Sequence, residues 1–277
     1  MPFTLAHTVA AIPLRRPLGP LGVLAALVIG SATPDVPFYL PLSLNRNATH
    51  SAMALLWFCL PVGILAYLLY DQVLDRPLHA LMPEALQRRL TRTGRAARPP
   101  VWSPAVLVSL LAGAATHLVW DSFTHGGSAG VGEWIPAIET RLFTVSGYTA
   151  YVFSILQHAS SALGTGLLAV WIWHWYRRAP QADPPMAGLT PGVRRRLLVS
   201  MLFAVIVASG MSVALRPPAR PDLRALQPVA RRLVVTSFAT LIACLTVYSI
   251  GWHWVRGRPR GWESSAGTWG PPSGGPD

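Results

Sequence analysis

The feature that most constrains this chain is a set of long windows, each of about 20 residues, that carry few or no charges. They lie near residues 50–70, 104–125, 153–176, 197–215 and 233–255. A helix of that length crosses a hydrocarbon core of roughly 30 Å. In water, each stretch would need a separate partner to bury it. In lipid, the backbone satisfies itself within the helix and the side chains are already solvated. The expected fold class is therefore all-α, a polytopic transmembrane helical bundle with about five membrane-spanning helices. Residues 20–40 (PLGVLAALVIGSATPDVPFYL) are equally apolar but broken by Gly30, Pro34 and Asp35. That interruption predicts an N-terminal re-entrant or half-helix segment instead of a sixth span.

Composition agrees. Of 277 residues, 52% are hydrophobic and 12% charged, against roughly a quarter charged in an average soluble domain. The net charge of +12 comes with 23 basic residues, every one an arginine. No basic stripe is interleaved with aromatics on a soluble stretch, so nucleic acid is not the expected partner. Membrane lipids are, through loop charge facing anionic headgroups. The lack of lysine beside abundant Ala, Pro and Gly points to a GC-rich bacterial genome, hence a multi-pass protein of a bacterial inner membrane. Cys59 and Cys244 fall inside apolar windows without ligand spacing and read as small core residues. The N-terminal stretch is not a secretory signal, because Arg15 and Arg16 follow its apolar part. Residues 1–255 read as a single transmembrane helical domain, with the motifs within 1–176. The Gly/Pro/Ser-rich tail 256–277 is expected to be disordered.

Arginine placement orients the bundle. The segments after the first and third spans carry Arg76, Arg88, Arg89, Arg92, Arg95 and Arg98, and then Arg177, Arg178, Arg194, Arg195 and Arg196. Between the second and third spans only Arg141 occurs. The positive-inside rule places the first two segments in the cytoplasm and 126–150 outside. One loop disagrees, since Arg216, Arg220, Arg224, Arg231 and Arg232 fall on the expected outer side.

The second span ends in THLVWDSFTH, where His117, Asp121 and His125 are spaced i, i+4, i+8 and drift only about 40° per step along one helix face. Ionisable groups near hydrocarbon are costly and face a cavity or a partner. For any one histidine, an interhelical hydrogen bond is the plainer reading; three groups on one stripe favour a site. His117 and His125 stand about 12 Å apart along an ideal helix, too far to share one ion with bonds of about 2 Å. His117 and Asp121 can chelate one metal, and other segments must complete the set. Topology nominates Asp35 in the Pro34-Asp35 break, His50 at the start of the first span, His158 at the start of the third, and His7. The candidate metal ligands are thus His7, Asp35, His50, His117, Asp121 and His158, all on one leaflet. His79, His174 and His253 fall on the other. A mixed His/Asp set suits zinc, and also manganese or iron. Asp121 and His125 are the candidate catalytic residues, with Glu133 and Glu139 further candidates for a general base.

Met1-Pro2-Phe3-Thr4 with His7, Gly30-Ser31…Pro34-Asp35, Thr49-His50-Ser51 and Thr116-His117…Asp121-Ser122-Phe123-Thr124-His125 resemble an uncharacterised bacterial integral-membrane family, a domain of unknown function. That resemblance runs to about residue 176. The same elements are similar to membrane-bound proteins described as metal-dependent hydrolases. More distantly, His117-x-x-x-Asp121 resembles the zinc-binding helix of zinc-dependent phospholipase C and the P1-type nucleases. That resemblance implies zinc at His117 and Asp121 and phosphoester hydrolysis, although a clear second His-x-x-x-Asp helix is lacking.

The expectation is an integral membrane protein with an outer-leaflet His/Asp metal site, hydrolysing a lipid or phosphoester. The alternatives are a non-enzymatic transport or binding protein using the same groups, and a haem protein with His117 and His158 as axial ligands. Oligomeric state leaves no trace in the pattern. Reporter fusions in the 76–98 and 178–194 loops should read cytoplasmic and one at Ser128 external; a cytoplasmic signal at Ser128 would overturn the orientation.

Overall fold

In a computed structural model, the described residues are 4–40, 44–94, 98–126, 135–145, 148–181, 189–217 and 223–256. The expected tail beyond residue 256, together with Ser128 and Glu133, lies outside them. The architecture is all-α with five helices long and apolar enough to cross a membrane. The short helices are α1 (Thr4–Ala11), α2 (Leu24–Ala32), α3 (Val36–Tyr39) and α4 (Arg46–Thr49). The first span is α5 (Leu55–Leu81), followed by the short α6 (Glu84–Gly94). The remaining spans are α7 (Pro104–Thr124), α8 (Val152–Arg178), α9 (Pro191–Ala214) and α10 (Leu223–Arg256). Between α7 and α8 lies a hairpin of β1 (Arg141–Val145) and β2 (Tyr148–Tyr151), antiparallel with Thr144 opposite Thr149. Large apolar side chains such as Leu65, Leu202, Phe203 and Val247 point outward, as lipid-facing positions do.

The element that organises the cluster end is the half-helix α2. It antiparallels α1: Thr4 meets Asp35 at one end, and the backbones of Arg15 and Gly22 touch at the other. It also lies directly on α7. A Cβ built on Gly30 would stand 2.2 Å from the Leu110 carbonyl oxygen, and one on Gly113 would stand 2.2 Å from that of Leu27. Without a hydrophobic driving force between helices in lipid, such close backbone approach is what small residues at a crossing provide. Ser109 then fastens the start of α2. Its hydroxyl accepts from Val23 N at 2.9 Å and donates to Leu21 O at 2.7 Å. The buried core around the crossing is Ala26, Tyr67, Val106 and Leu110.

Two boundaries differ from the sequence reading. Asp71, Asp75 and Arg76 suggest that the first span ends near residue 70, yet α5 continues to Leu81 through a π-helical stretch, Leu69–Leu74. Arg98 folds back to pair with Asp71 and Asp75, the latter at 2.7 Å, which makes the acids tolerable at the membrane edge. At the other end, His50 is not in the span but C-caps α4, whose N-cap Asn45 accepts from Ala48 N. The ends of the bundle are fixed by cross-contacts. Arg89 to the Tyr176 carbonyl, Arg194 to that of Met82, and His253 to that of Val73 tie together the end opposite the cluster. His79 joins that end through the Gln87 carbonyl, and His174 is exposed there.

Gly113→Val should abolish recovery of folded protein, because its first side-chain carbon already overlaps the Leu27 carbonyl and neither backbone can yield. Gly166→Ala, with nothing within 4 Å, should leave the thermal midpoint in detergent unchanged or slightly raised. Equal behaviour of the two variants would refute the crossing as the organising contact.

Candidate metal centre

Three segments deliver four donors to one cluster. Asp35 ends the 3-10 turn Thr33–Asp35 after α2, His50 caps α4, and His117 and Asp121 project from adjacent turns of α7. One ligand atom from each lies within 4.8 Å of all the others. His50 Nε2 stands 3.3 Å from Asp35 Oδ1 and 3.3 Å from Asp121 Oδ2; His117 Nε2 stands 3.6 Å and 3.4 Å from the same two oxygens. A tetrahedron of donors about 2.1 Å from a central ion has edges of about 3.4 Å. Four of the six donor–donor separations lie near that edge, and the other two lie within 4.8 Å.

Hydrogen-bond directions agree with the spacing. His50 Nε2 and His117 Nε2 are buried, and neither forms a hydrogen bond despite carboxylate oxygens nearby. The opposite ring nitrogens are occupied. His117 Nδ1 donates to the Ser31 carbonyl at 2.8 Å, and His50 Nδ1 donates to Thr49 Oγ1 at 3.0 Å, whose own proton goes to the Arg46 carbonyl. Each ring is therefore held in the tautomer that leaves Nε2 free to ligate, the usual arrangement around protein-bound metals. Asp35 is oriented in the same manner: Thr4 donates to its Oδ2 at 2.6 Å, and Tyr39 in turn donates to Thr4. Arg46 Nη2 reaches Asp121 Oδ2 at 2.5 Å. Two buried carboxylates with only Arg46 at the rim leave negative charge that a divalent cation would balance. The chemistry of the donor set thus fits a metal ion.

The other sequence candidates divide. His7, from α1, stacks on His117 with ring centroids 4.1 Å apart, and its Nε2 lies 3.6 Å from Asp121 Oδ1. Neither of its ring nitrogens has a hydrogen-bond partner. Burial, reinforced by the neighbouring His117, pushes its imidazole down to about 4, so it is neutral at physiological pH. His125 ends α7 with extended backbone, so it leaves the helical stripe and turns back. Its Nδ1 sits 3.5 Å from Asp121 Oδ1 and its Nε2 accepts from the Gln157 amide.

His158 is not brought in. It is exposed on α8, whose inward face carries Gln157, which bonds His125, Ser160, which accepts from Trp120 Nε1, and Gly164, packed on Ala6. That spacing of three to four residues sets the helix phase, and His158 falls off it. The same phase removes the haem reading, since His117 Nε2 faces the carboxylates and His158 faces away. Glu139 lies in the short 3-10 turn Pro136–Glu139 before β1. The sequence reading missed Thr4, Ser31, Tyr39 and Arg46 as supporting groups. Thr4 and Ser31 stand inside the motifs quoted above, whereas Arg46 signals itself only by lying one helical turn before His50.

The family model described as a domain of unknown function (DUF4184) matches residues 1–250, and the chain belongs to that family. No curated protein and no solved structure matches the chain.

Protein purified without chelator should carry metal at one equivalent per chain or more, measured by elemental analysis. His117→Ala and Asp35→Ala should lose the ion at the four-donor point. Thr4→Val should weaken binding there by about 10–100-fold while keeping the fold. His158→Ala and His174→Ala should bind as wild type does. Folded wild type without metal would reduce the cluster to a hydrogen-bonded core.

Proposed function

We propose that this membrane protein is a metal-dependent hydrolase, with zinc as the best-matched ion and a lipid or phosphoester as substrate, working at the outer leaflet. The observation that carries the reading is the close grouping of Asp35 Oδ1, His50 Nε2, His117 Nε2 and Asp121 Oδ2, with both imidazole Nε2 atoms free of hydrogen bonds among the described residues. Two nitrogens and two carboxylate oxygens at that spacing suit zinc better than ions that demand six oxygens.

A divalent ion so held would polarise a phosphoryl or acyl oxygen and lower the pKa of a bound water towards 7. The chain supplies the rest. Asp121 presents Oδ2 to the donor set, while its buried Oδ1 has no hydrogen-bond partner and faces His7 and His125. That oxygen is placed to accept a proton, and His125, whose Nε2 accepts from the Gln157 amide, turns its Nδ1–H side towards it. Burial pushes His125 down to about 4, so its ring is neutral and stands beside that oxygen as a hydrogen-bond donor. His7 and Trp120 close the other side and exclude water.

A lipid substrate is supported by an apolar groove of about 500 Å³ lined by Ala52, Leu55 and Leu56 and by Leu111, Ala112 and Ala115 of α7. It opens outward and begins two residues beyond His50. The transport reading draws less support, because among the described residues the buried His and Asp side chains, His7, Asp35, His117 and Asp121, gather at one end of the bundle instead of marking a path across it.

Metal-loaded protein in detergent should hydrolyse a phosphodiester or lipid ester. Chelation should stop the reaction and added zinc should restore it. Asp121→Asn should lower the rate by about 100-fold or more. Metal-replete, folded protein that is inert on phosphodiesters, phosphomonoesters and lipid esters alike would end the hydrolase reading.

A further inference from the structure

The outer-end arginines run against the positive-inside pattern, and the structure divides them by task. Arg232 is structural: its Nη1 donates to the carbonyls of Ser212 and Arg216 and closes the C-terminal end of α9. Arg231, its neighbour, does something else. The start of α10 leans on α3, with Tyr39 against Phe238 at 5.0 Å, and this sets the Arg231 guanidinium 5.8 Å above the Phe38 ring. That ring lies 6.1 Å from the ring of His50. Arg231 is exposed and has no acidic partner among the described residues. Its positive charge is thus held two ring contacts from a ligand of the candidate metal.

Arg46 approaches the same mouth from α4. It spends Nη2 on Asp121, its side chain is 27% exposed, and Nε and Nη1 have no acceptor among the described residues. Both guanidiniums are thus linked to His50, Arg46 through Asp121 and Arg231 through Phe38, and guanidiniums with donors to spare receive phosphate or carboxylate oxygens. The two carboxylates of the cluster, Asp35 and Asp121, are balanced by a divalent ion, so both arginine charges remain for an incoming group. We infer that Arg46 and Arg231 form an anion-binding collar at the mouth of the site, which holds a phosphate or carboxylate of the molecule the site acts on. The inference rests on the metal reading for that charge balance.

Titration calorimetry on the full chain in non-ionic detergent tests it, with inorganic phosphate, a short-chain phosphatidate and the matching diacylglycerol as probes. Phosphatidate or phosphate should bind and diacylglycerol should not. Arg231→Ala should weaken anion binding about tenfold, as expected for one lost charge-assisted contact, while metal content stays at the wild-type level. Arg231→Lys should recover part of the loss. Phosphatidate binding much tighter than phosphate makes the ligand a lipid headgroup; equal affinities make it a soluble anion, and both outcomes sustain the collar. Wild-type affinity in Arg231→Ala overturns it even if metal is present. Metal-free wild type whose anion binding still depends on Arg231 overturns the metal reading and leaves the collar standing.

Discussion

The hydrogen bond from His117 Nδ1 to the Ser31 carbonyl joins the fold to the site, and the rest of the cluster end depends on it. A half-helix ending within the bundle leaves its last carbonyls without intrahelical partners, and no water is there to satisfy them. Thr33 Oγ1 donates to the Gly30 carbonyl, Ser31 Oγ to that of Val28, and His117 Nδ1 to that of Ser31 itself. The same bond that satisfies the half-helix fixes the imidazole tautomer that can ligate a cation. Structural need and site chemistry are met by one contact.

That contact is possible only because α2 and α7 touch backbone to backbone at Gly30 and Gly113. Larger residues would hold the helices apart and carry the Ser31 carbonyl out of reach of His117. The short register between Ser109, which fastens the start of α2, and His117, which fastens its end, makes α2 a rigid strut. Asp35 follows it after one 3-10 turn, and Thr4 holds the carboxylate from the α1 side. Donors from α1, the α2–α3 turn, α4 and α7 meet without any one of them bearing the ordering cost alone.

The charge distribution is asymmetric in the same sense. At one end, Arg98 neutralises Asp71 and Asp75 so that α5 can run past its apolar limit. At the other, acids are buried, with Arg46 touching Asp121 and Arg231 lying over Phe38. A bundle that only needed to sit in a membrane would avoid burying Asp35 and Asp121, since each costs several kcal/mol in low dielectric. Their place beside imidazole nitrogens that lack hydrogen-bond partners among the described residues marks a cluster that could hold a cation.

Hydropathy by itself determined the five spans and the broken segment near Pro34, because transfer into lipid is a property of each segment and sums along it. The i, i+4 spacing likewise put His117 and Asp121 on one face before any packing was known. What only the tertiary structure decided is azimuth and partnership. His158 was expected in the cluster by its end of the bundle, yet Gly164 against Ala6 turns α8 so that it faces outward. His50 entered as the start of a span and is instead the cap of a separate helix, which frees its ring to turn inward. Arg46, Thr4 and the Ser31 carbonyl carry no sequence pattern for their roles, because a hydrogen bond between residues 31 and 117 depends on where two backbones cross, and that is set by packing in three dimensions.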